Sequence, residues 1–385
     1  MRRSPFLAAL AVVLGAGAAL SVPAQSASAT RPLANNHVAR PHVSAKVAAA
    51  LGRDGEMRGV ALNNRLTATQ LTSSIADFPR MAADGITSVT AYVYLYVDNP
   101  QGTTVSTGNA TPSDAQLQLV MSQAKSNGLD VHLMPVLLDH ATDSFRGGYQ
   151  PSNPGAFFAS YTSQLNHYAD LAQASGVTLF FVGSENDSIA KYTSYWRSVI
   201  VSVRRHYSGA LSYMTTGYAG VGVHFWDALD LAAISPYYSL GDEHTITYQR
   251  LMAAWNKDHL PYIAQLARIV RKPLIFGEIG YVSRTLGYNN PSSQGTGLLP
   301  APTAQQDAYR ALFDAVAKSP FIYGMTLWFW DATSTPTDTA YSPKNKPAEC
   351  TLAQRWSTNA TVLRLASLPT CDLSVVDTVT QITGL

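Results

Sequence analysis

Two glutamates in this sequence each follow a short apolar run that passes through a glycine. Residues 179–183 lead through Ser184 to Glu185, and residues 274–277 lead to Glu278. Apolar runs of this length predict buried strands, and a carboxylate at the end of such a strand is costly unless it is paired or partly hydrated. Two carboxyl groups beside one bond can hydrolyse a glycoside, because one protonates the leaving oxygen while the other attacks the anomeric carbon or activates water. This pair is the candidate for chemistry.

Both glutamates belong to a regular alternation of apolar strands and amphipathic helices between residues 58 and 331. Strands buried on both faces with a helix between them predict parallel pairing. Eight such units favour an α/β fold of the closed (β/α)8 type over an open doubly wound sheet, and no Gly-x-Gly-x-x-Gly turn follows the first strand. We expect one catalytic domain, residues 57–385. The predicted strands are 58–63, 88–95, 131–137, 179–185, 211–216, 229–234, 272–281 and 323–330.

The functional groups of such a barrel lie at the carboxyl ends of its strands. This rule places Glu185 and Glu278 on one rim, at the ends of the fourth and seventh strands. A tyrosine hydroxyl after the sixth strand could donate a hydrogen bond to an ionised glutamate there. Taken alone, however, a glutamate at a strand end is more often a capping or ion-paired residue than a catalyst. The predicted substrate-binding residues of the rim are Asn63, His140, Tyr237, Tyr238, Trp328 and Asp331.

Four further residues have structural interpretations beside functional ones. Asp139 and His140 could stabilise their own loop as readily as contact a substrate. Asp187 lies just beyond Glu185 and competes with it as the acid, although its ordinary role would be to cap the following helix. His132, in the middle of a predicted strand, is interpreted as a hydrogen-bonded core histidine rather than a ligand.

Two motifs resemble those of a known family. Residues 276–281 (FGEIGY) are similar to the strand-seven motif of glycoside hydrolase family 113, the endo-β-1,4-mannanases, and residues 182–185 (VGSE) are similar to its strand-four motif. The layout from residue 58 to about residue 331 also resembles the wider clan A of retaining (β/α)8 glycoside hydrolases. One departure from that clan is Ser184, which stands where most members have asparagine.

The resemblance implies roles for four residues. It implies that Glu185 is the general acid/base and that Glu278 is the nucleophile of a retaining mechanism. It implies that Tyr237, just after the strand-six proline, is the partner of Glu278, in preference to the neighbouring tyrosine. Trp328 would be the platform beneath the sugar that is cleaved, and no cofactor is implied.

The N-terminal residues 1–29 predict a secretory signal peptide. Two arginines precede an apolar segment, residues 6–22, and small residues at 27–29 provide a cleavage site. The apolar segment is short for a transmembrane helix. We therefore expect a secreted, extracellular protein in which residues 30–56 form a linker or N-terminal arm ahead of the barrel.

Charge and composition restrict the partners. Cleavage would remove Arg2 and Arg3 from the 27 basic residues, leaving 25 against 25 acidic residues. A neutral surface argues against nucleic acid or an anionic membrane as a partner. Charged residues make up only 14% of the chain, whereas tyrosine and tryptophan are plentiful, a composition that suits an uncharged polysaccharide or oligosaccharide. We expect a monomer.

The remaining reactive residues point away from other chemistries. Cys350 and Cys371 are predicted to form one disulfide that closes the C-terminal segment, because an exported chain meets an oxidising environment. Histidines and carboxylates are scattered without the spacing of a metal site. A serine hydrolase is disfavoured because its Gly-x-Ser-x-Gly turn is absent from the sequence.

The sequence thus predicts a secreted retaining glycoside hydrolase that cleaves a β-linked polysaccharide, with β-1,4-mannan implied by the resemblance. Two alternatives stay open. One is an enzyme of the same clan that acts on xylan, β-glucan or another cell-wall glycan. The other is a carbohydrate-binding barrel without catalysis, against which the presence of both glutamates argues.

Overall fold

The computed structural model describes residues 38, 40–62, 68–142, 144–244, 246–293 and 299–357, all within the compact unit Asn35–Leu385. Eight parallel strands form its central sheet, and each runs toward the same rim. Their bounds are β1 Met57–Ala61, β2 Ser88–Val97, β3 Asp130–Asp139, β4 Leu179–Ser184, β5 Ala210–Thr216, β6 Ala232–Ser235, β7 Leu274–Ile279 and β8 Ile322–Leu327.

The sheet closes on itself because β1 pairs with strands on both of its sides. Val60 of β1 lies beside Val89 of β2 in one ladder and beside Leu327 of β8 in the other. The remaining strands pair in sequence order, and every one of these ladders is parallel. The protein is therefore a single-domain (β/α)8 barrel, as the alternation of strands and helices predicted.

Helices connect the strands and cover the outside of the barrel. Their starts follow ordinary capping rules: the Ser113 hydroxyl and the Gln116 side chain form a capping box at one helix, and Asn153 caps the longest helix ahead of Pro154. The α-helices among the described residues are α1 Ala45–Leu51, α2 Ala68–Ser73, α3 Phe78–Ala83, α4 Asp114–Ser126, α5 Pro154–Ser175, α6 Thr193–His206, α7 Tyr248–Ala254, α8 Leu260–Val270, α9 Pro302–Ala317 and α10 Pro347–Trp356. No helix among them has both the length and the apolar character needed to cross a membrane.

The structure adds two elements to the predicted pattern. A two-residue strand, Ser106–Thr107, pairs antiparallel with the end of β2. Within the predicted N-terminal arm, residues 45–51 form helix α1, which buries Val47 and Leu51. These side chains join the apolar cluster that fills the barrel interior, so this part of the arm packs as an integral element of the barrel.

His132 shows how α1 is attached to the barrel. The ring lies buried on β3, and its Nε2 is 3.1 Å from the carbonyl oxygen of Ala50 on α1. Burial lowers the pKa of His132 to about 4, because the interior disfavours the charged ring. The prediction of a hydrogen-bonded core histidine is confirmed.

Candidate active site

A cavity of about 870 Å³ opens at the carboxyl ends of the barrel strands. It brings together five residues that the sequence predicted for one site, although they come from four separate parts of the chain. These are Glu185, Tyr237, Tyr238, Glu278 and Trp328. The chemistry predicted from the two glutamates is therefore possible in space, since both carboxyl groups line one cavity.

Glu185 follows the last residue of β4, and its backbone turns sharply at that point. Its φ is 53°, in the left-handed region that non-glycine residues rarely adopt. The amide of Glu185 still donates to the carbonyl oxygen of Met214 on β5, at 2.6 Å. The chain thus stays attached to the neighbouring strand while the side chain enters the cavity. Unusual backbone conformations of this kind concentrate at functional sites.

Both carboxylate oxygens of Glu185 accept hydrogen bonds. Arg146 donates through Nη2 to Oε2, and the Ser235 hydroxyl donates to Oε1. The Nε of Arg146 also donates to the carbonyl oxygen of Ser184, at 3.0 Å. Since Glu185 is only 6% exposed, this cation and hydroxyl replace most of the water that an exposed carboxylate would have.

The loop that carries Arg146 is organised by Asp139. The carboxylate of Asp139 accepts hydrogen bonds from the amides and hydroxyls of Thr142 and Ser144, and from the Tyr149 hydroxyl at 3.1 Å. Burial alone would raise the pKa of Asp139, but these donors lower it well below its usual range. Of the two roles left open by the sequence, Asp139 has the loop-stabilising one.

Glu278 lies near the end of β7, and two tyrosine hydroxyls bind its two oxygens. Tyr92 of β2 donates to Oε2 at 2.8 Å, and Tyr237, just after β6, donates to Oε1 at 2.9 Å. Burial, followed by the negative charge of Glu185, raises the pKa of Glu278 to about 7, against the lowering effects of Arg146 and the two hydroxyls. The predicted contact of Tyr237 with Glu278 is present.

Trp328 and Trp330 face opposite sides, whereas residues two apart on an extended strand would share a face. Both lie beyond the end of β8 at Leu327, where the strand alternation no longer applies. Trp328 lines the cavity and meets the ring of Tyr92 edge-on, with the centroids 5.1 Å apart. Trp330 is fully buried, and its Nε1 donates to Asp77 at 2.9 Å. Trp328 is thus the one placed to contact a ligand.

Asp187, the alternative acid, is directed elsewhere. Its carboxylate accepts a hydrogen bond from the Thr216 hydroxyl at 2.6 Å and is absent from the cavity wall. Burial raises the pKa of Asp187 to about 6. Asn186 occupies the N-cap position of the short 3₁₀ turn Asp187–Ile189. Glu185, not Asp187, therefore faces the cavity.

Two predicted binding residues lie outside the cavity wall. His140 is exposed and stacks on Tyr96, with the ring centroids 4.4 Å apart. Asp331 accepts hydrogen bonds from the amide and hydroxyl of Thr333, at 2.8 and 2.7 Å, and so closes its own turn. Asn63, also predicted to bind substrate, lies outside the described residues.

The predicted disulfide stays a prediction. Cys350 is buried on α10, whereas Cys371 lies outside the described residues. In the described part of the chain, no three histidine, cysteine or acidic side chains are grouped so as to hold a metal ion.

Similarity to known proteins identifies the family of this chain. The sequence model of Glycoside Hydrolase Family 113 matches residues 64–346. The chain belongs to glycoside hydrolase family 113. Among solved structures, the GH113 β-mannanase AaManA from Alicyclobacillus acidocaldarius is 26% identical, with a TM-score of 0.69 over 78% of this chain and 97% of that one. A second GH113 β-1,4-mannanase is 23% identical, with a TM-score of 0.68 over 78% and 98% of the two chains.

A more distant likeness supports the fold alone. A glycoside hydrolase family 5 mannosidase from Rhizomucor miehei is 12% identical, with a TM-score of 0.55 over 81% of this chain and 95% of that one. None of the curated proteins matches this family 113 chain.

The family match and the GH113 mannanase structures show that the chain is a glycoside hydrolase of the endo-β-mannanase-like kind. The fold and family predicted from the sequence are confirmed.

Tyr92, Arg146 and Ser235 bind the two glutamates but were not among the site residues predicted from the sequence. Tyr92 could have been suspected, because Tyr92, Tyr94 and Tyr96 alternate along β2 and so share one face. Arg146 begins a three-residue 3₁₀ turn, Arg146–Gly148, and the sequence around it has no periodic signal. Ser235 is the last residue of β6, and its position at a strand end was its only signal.

Proposed function

We propose that this family 113 glycoside hydrolase cleaves β-1,4-mannan by retention, through a covalent glycosyl-enzyme intermediate. The observation that carries the proposal is the pair of buried glutamates on one cavity, each with a different set of partners. Different surroundings are what two carboxyl groups need in order to take different roles in one reaction. The named activity of the GH113 β-1,4-mannanases that share the fold favours mannan.

Glu278 suits the role of nucleophile. Its two tyrosine donors stabilise the negative charge that the attacking carboxylate must carry, and they fix the orientation of both oxygens. In the first step, one of these oxygens forms a bond to the anomeric carbon as the bond to the leaving oxygen breaks. The electron pair of that bond goes to the leaving group.

Glu185 suits the role of acid/base. In the form of the enzyme that reacts, the carboxyl group of Glu185 is protonated. In the first step this proton passes to the leaving oxygen, which leaves Glu185 as a carboxylate beside the Arg146 guanidinium and the Ser235 hydroxyl. In the second step this carboxylate removes a proton from the water that attacks the anomeric carbon, and the bond from that carbon to Glu278 breaks with its electron pair returning to Glu278. Negative charge thus moves from Glu278 to Glu185 and back, while Arg146 remains close to both.

Substrate and stereochemistry can be tested together. Purified protein is incubated with mannans, xylans, β-glucans and bacterial wall polysaccharides, and the release of reducing ends is measured. We expect the highest rate on β-1,4-mannan, with an early fall in viscosity because an endo-acting enzyme cuts within chains. Proton NMR of the first product should show the β-anomer before mutarotation. A preference for xylan or β-glucan would refute the mannan assignment, an initial α-anomer would refute retention, and binding without cleavage would favour the non-catalytic alternative.

We also propose that the protein is secreted after removal of residues 1–29 and acts as a monomer. The support is the signal-like N-terminal sequence. Expression of the full chain with sequencing of the exported N-terminus should find Thr30 first, and light scattering should give the mass of one chain. Retention of the protein inside the cell, or a dimer mass, would contradict these statements.

The tyrosine donors predict a shift of the pH profile. Removing the hydroxyl of Tyr92 or Tyr237 by substitution with phenylalanine removes a donor that favours ionised Glu278, so the pKa of Glu278 rises further. Because the nucleophile must be ionised, the acid limb of kcat/KM moves to higher pH. Activity at neutral pH falls roughly tenfold to a hundredfold, the value of one hydrogen bond to a charged group.

A matched control for these variants is Tyr207→Phe. The Tyr207 hydroxyl is also buried, but it donates to the carbonyl oxygen of Val177 at 2.9 Å, away from the cavity. We expect this variant to keep the wild-type acid limb. An unchanged acid limb in both Tyr92→Phe and Tyr237→Phe would contradict the assignment of Glu278 as the group that must be ionised.

A further inference from the structure

Tyr218 is an exposed aromatic residue on the cavity wall. It follows β5, is 45% exposed and lines the same cavity as the two glutamates. Its ring stacks on Tyr238, with the centroids 4.5 Å apart and the planes within 17°. Tyr262 meets the Tyr218 ring edge-on at 4.4 Å, and the Tyr218 hydroxyl is 3.2 Å from Nδ1 of His259. The ring is therefore held in place by its neighbours while much of its surface stays open to the cavity.

The local sequence allows this packing only because residue 217 is glycine. A Cβ at Gly217 would clash with the Tyr238 hydroxyl oxygen. Any larger residue would therefore displace the ring on which Tyr218 stacks. The arrangement exposes a large apolar ring that the core does not need, and such surfaces in a cleft are typical of ligand contacts.

Phe145 is a second exposed aromatic residue on this cavity. It is 56% exposed and precedes Arg146 on the loop that follows β3. A Cβ at Gly147 would clash with the Phe145 ring, so this ring too depends on a neighbouring glycine. Phe145 and Tyr218 follow β3 and β5, the two strands that pair with β4, and Glu185 lies at the end of β4.

The proposed role of Glu185 indicates which part of the substrate these two rings contact. The residue that protonates the leaving oxygen must lie beside the leaving group, so the sugar that departs lies on the Glu185 side of the cavity. Trp328 is placed differently, since it contacts Tyr92, which binds Glu278. Phe145 and Tyr218 are the exposed aromatic residues of the cavity wall that follow the two strands beside β4, and so lie on the Glu185 side.

We propose that Tyr218 and Phe145 form a subsite for the leaving-group sugar, which binds an uncharged β-linked pyranose by stacking. A pyranose ring presents C–H groups on its faces and hydroxyls at its edge. The apolar face of an aromatic ring suits the C–H groups of such a ligand, and no formal charge is required of either partner. This inference rests on the proposed roles of the two glutamates and extends them to substrate positioning.

The test compares two leaving groups on the same glycone. One substrate is a short β-1,4-linked mannooligosaccharide, and the other is the corresponding dinitrophenyl β-mannoside, whose leaving group is not a sugar. Tyr218→Ala and Phe145→Ala should each lower kcat/KM for the oligosaccharide about tenfold, the order of one aromatic contact. The aryl glycoside should stay within about twofold, and Tyr218→Phe should restore most of the loss.

A second measurement tests whether an added acceptor sugar binds at the same subsite. Sugar added as an acceptor can intercept the glycosyl-enzyme and form a longer product, and both alanine variants should need a higher acceptor concentration for the same product ratio. Tyr195→Ala is the control, because Tyr195 is 39% exposed but lies outside this cavity. It should match the wild type on both substrates.

Failure of the proposed subsite and failure of the proposed function give different results. Equal losses on both substrates, with no change in acceptor use, would mean that the rings act only in folding or on the glycone, and the inference would fail. Wild-type rates for both alanine variants would also refute it. A wild type that cleaves neither substrate would instead refute the proposed function. Phe145→Ala decides the matter if Tyr218→Ala disturbs its packed neighbours and lowers the melting temperature.

Discussion

Glu278→Gln abolishes hydrolysis and leaves the barrel folded. The substitution keeps the size of the side chain but removes the electron pair that attacks the anomeric carbon. We expect kcat to fall by about 10⁴- to 10⁶-fold, as for other hydrolases that lose one member of a catalytic unit. The measurement is the release of reducing ends by matched amounts of purified wild type and variant, with circular dichroism to verify the fold.

The same variant should become more stable than the wild type as the pH rises. The pKa of Glu278 is about 7 in the folded chain and about 4.5 when it is unperturbed. The stability that this group contributes is fully present below about pH 4.5 and is lost as the pH rises through about 7. Glutamine does not titrate, so the variant keeps its stability. Urea unfolding should therefore show that the unfolding free energy of the variant minus that of the wild type is larger at pH 8 than at pH 4.5.

Asp187→Asn is the matched control for loss of a nearby carboxylate. Asp187 lies two residues beyond Glu185 but is absent from the cavity wall, so its amide variant should keep activity within about tenfold of the wild type. Substantial activity in Glu278→Gln would exclude Glu278 as the nucleophile. Loss of activity in Asp187→Asn equal to that in Glu278→Gln would instead move the acid/base assignment from Glu185 to Asp187.

The fold and the two glutamates could be read from the sequence because they depend on local patterns. Each barrel strand is a short apolar run, and the order of runs and helices restricts the architecture to very few folds. A residue at the end of such a run must then lie on the rim. The same rule put Tyr237 and Tyr238 on the rim after β6, and the resemblance to family 113 selected Tyr237, whose hydroxyl is 2.9 Å from Glu278.

The partners of the glutamates depend on contacts that no local pattern describes. Tyr92 is 186 positions from Glu278, and Arg146 is 39 positions from Glu185. Arg146 reaches its place because hydrogen bonds to Asp139 shape the intervening loop, and the sequence shows those bonds only as a few short polar residues. His140 illustrates the opposite case, because a position at a strand end puts a residue on the rim without directing it into the cavity.

Glu185→Ala should lose activity in a way that depends on the leaving group. Without its acid the enzyme must expel the leaving oxygen unprotonated, so hydrolysis of polysaccharide falls by roughly 10²- to 10⁴-fold, the usual contribution of general acid–base catalysis. A dinitrophenolate leaves readily without a proton, so the first step with a dinitrophenyl β-glycoside stays fast. The second step still needs a base, and a burst of dinitrophenol should therefore precede slow turnover in stopped-flow absorbance.

Azide distinguishes loss of the acid/base from general damage to the site. A small anion fits the space left by the carboxylate and attacks the glycosyl-enzyme without needing a base, so it should restore turnover and yield the β-glycosyl azide. Glu278→Ala, treated in the same way, cannot form the intermediate and should give the inverted α-azide if it gives any. Since Arg146 and Ser235 both bind Glu185 in the resting enzyme, they are positioned to hold the added anion as well. A Glu185→Ala variant with no burst and no response to azide would mean that its carboxylate only anchors Arg146, and the acid would have to be sought elsewhere on the rim.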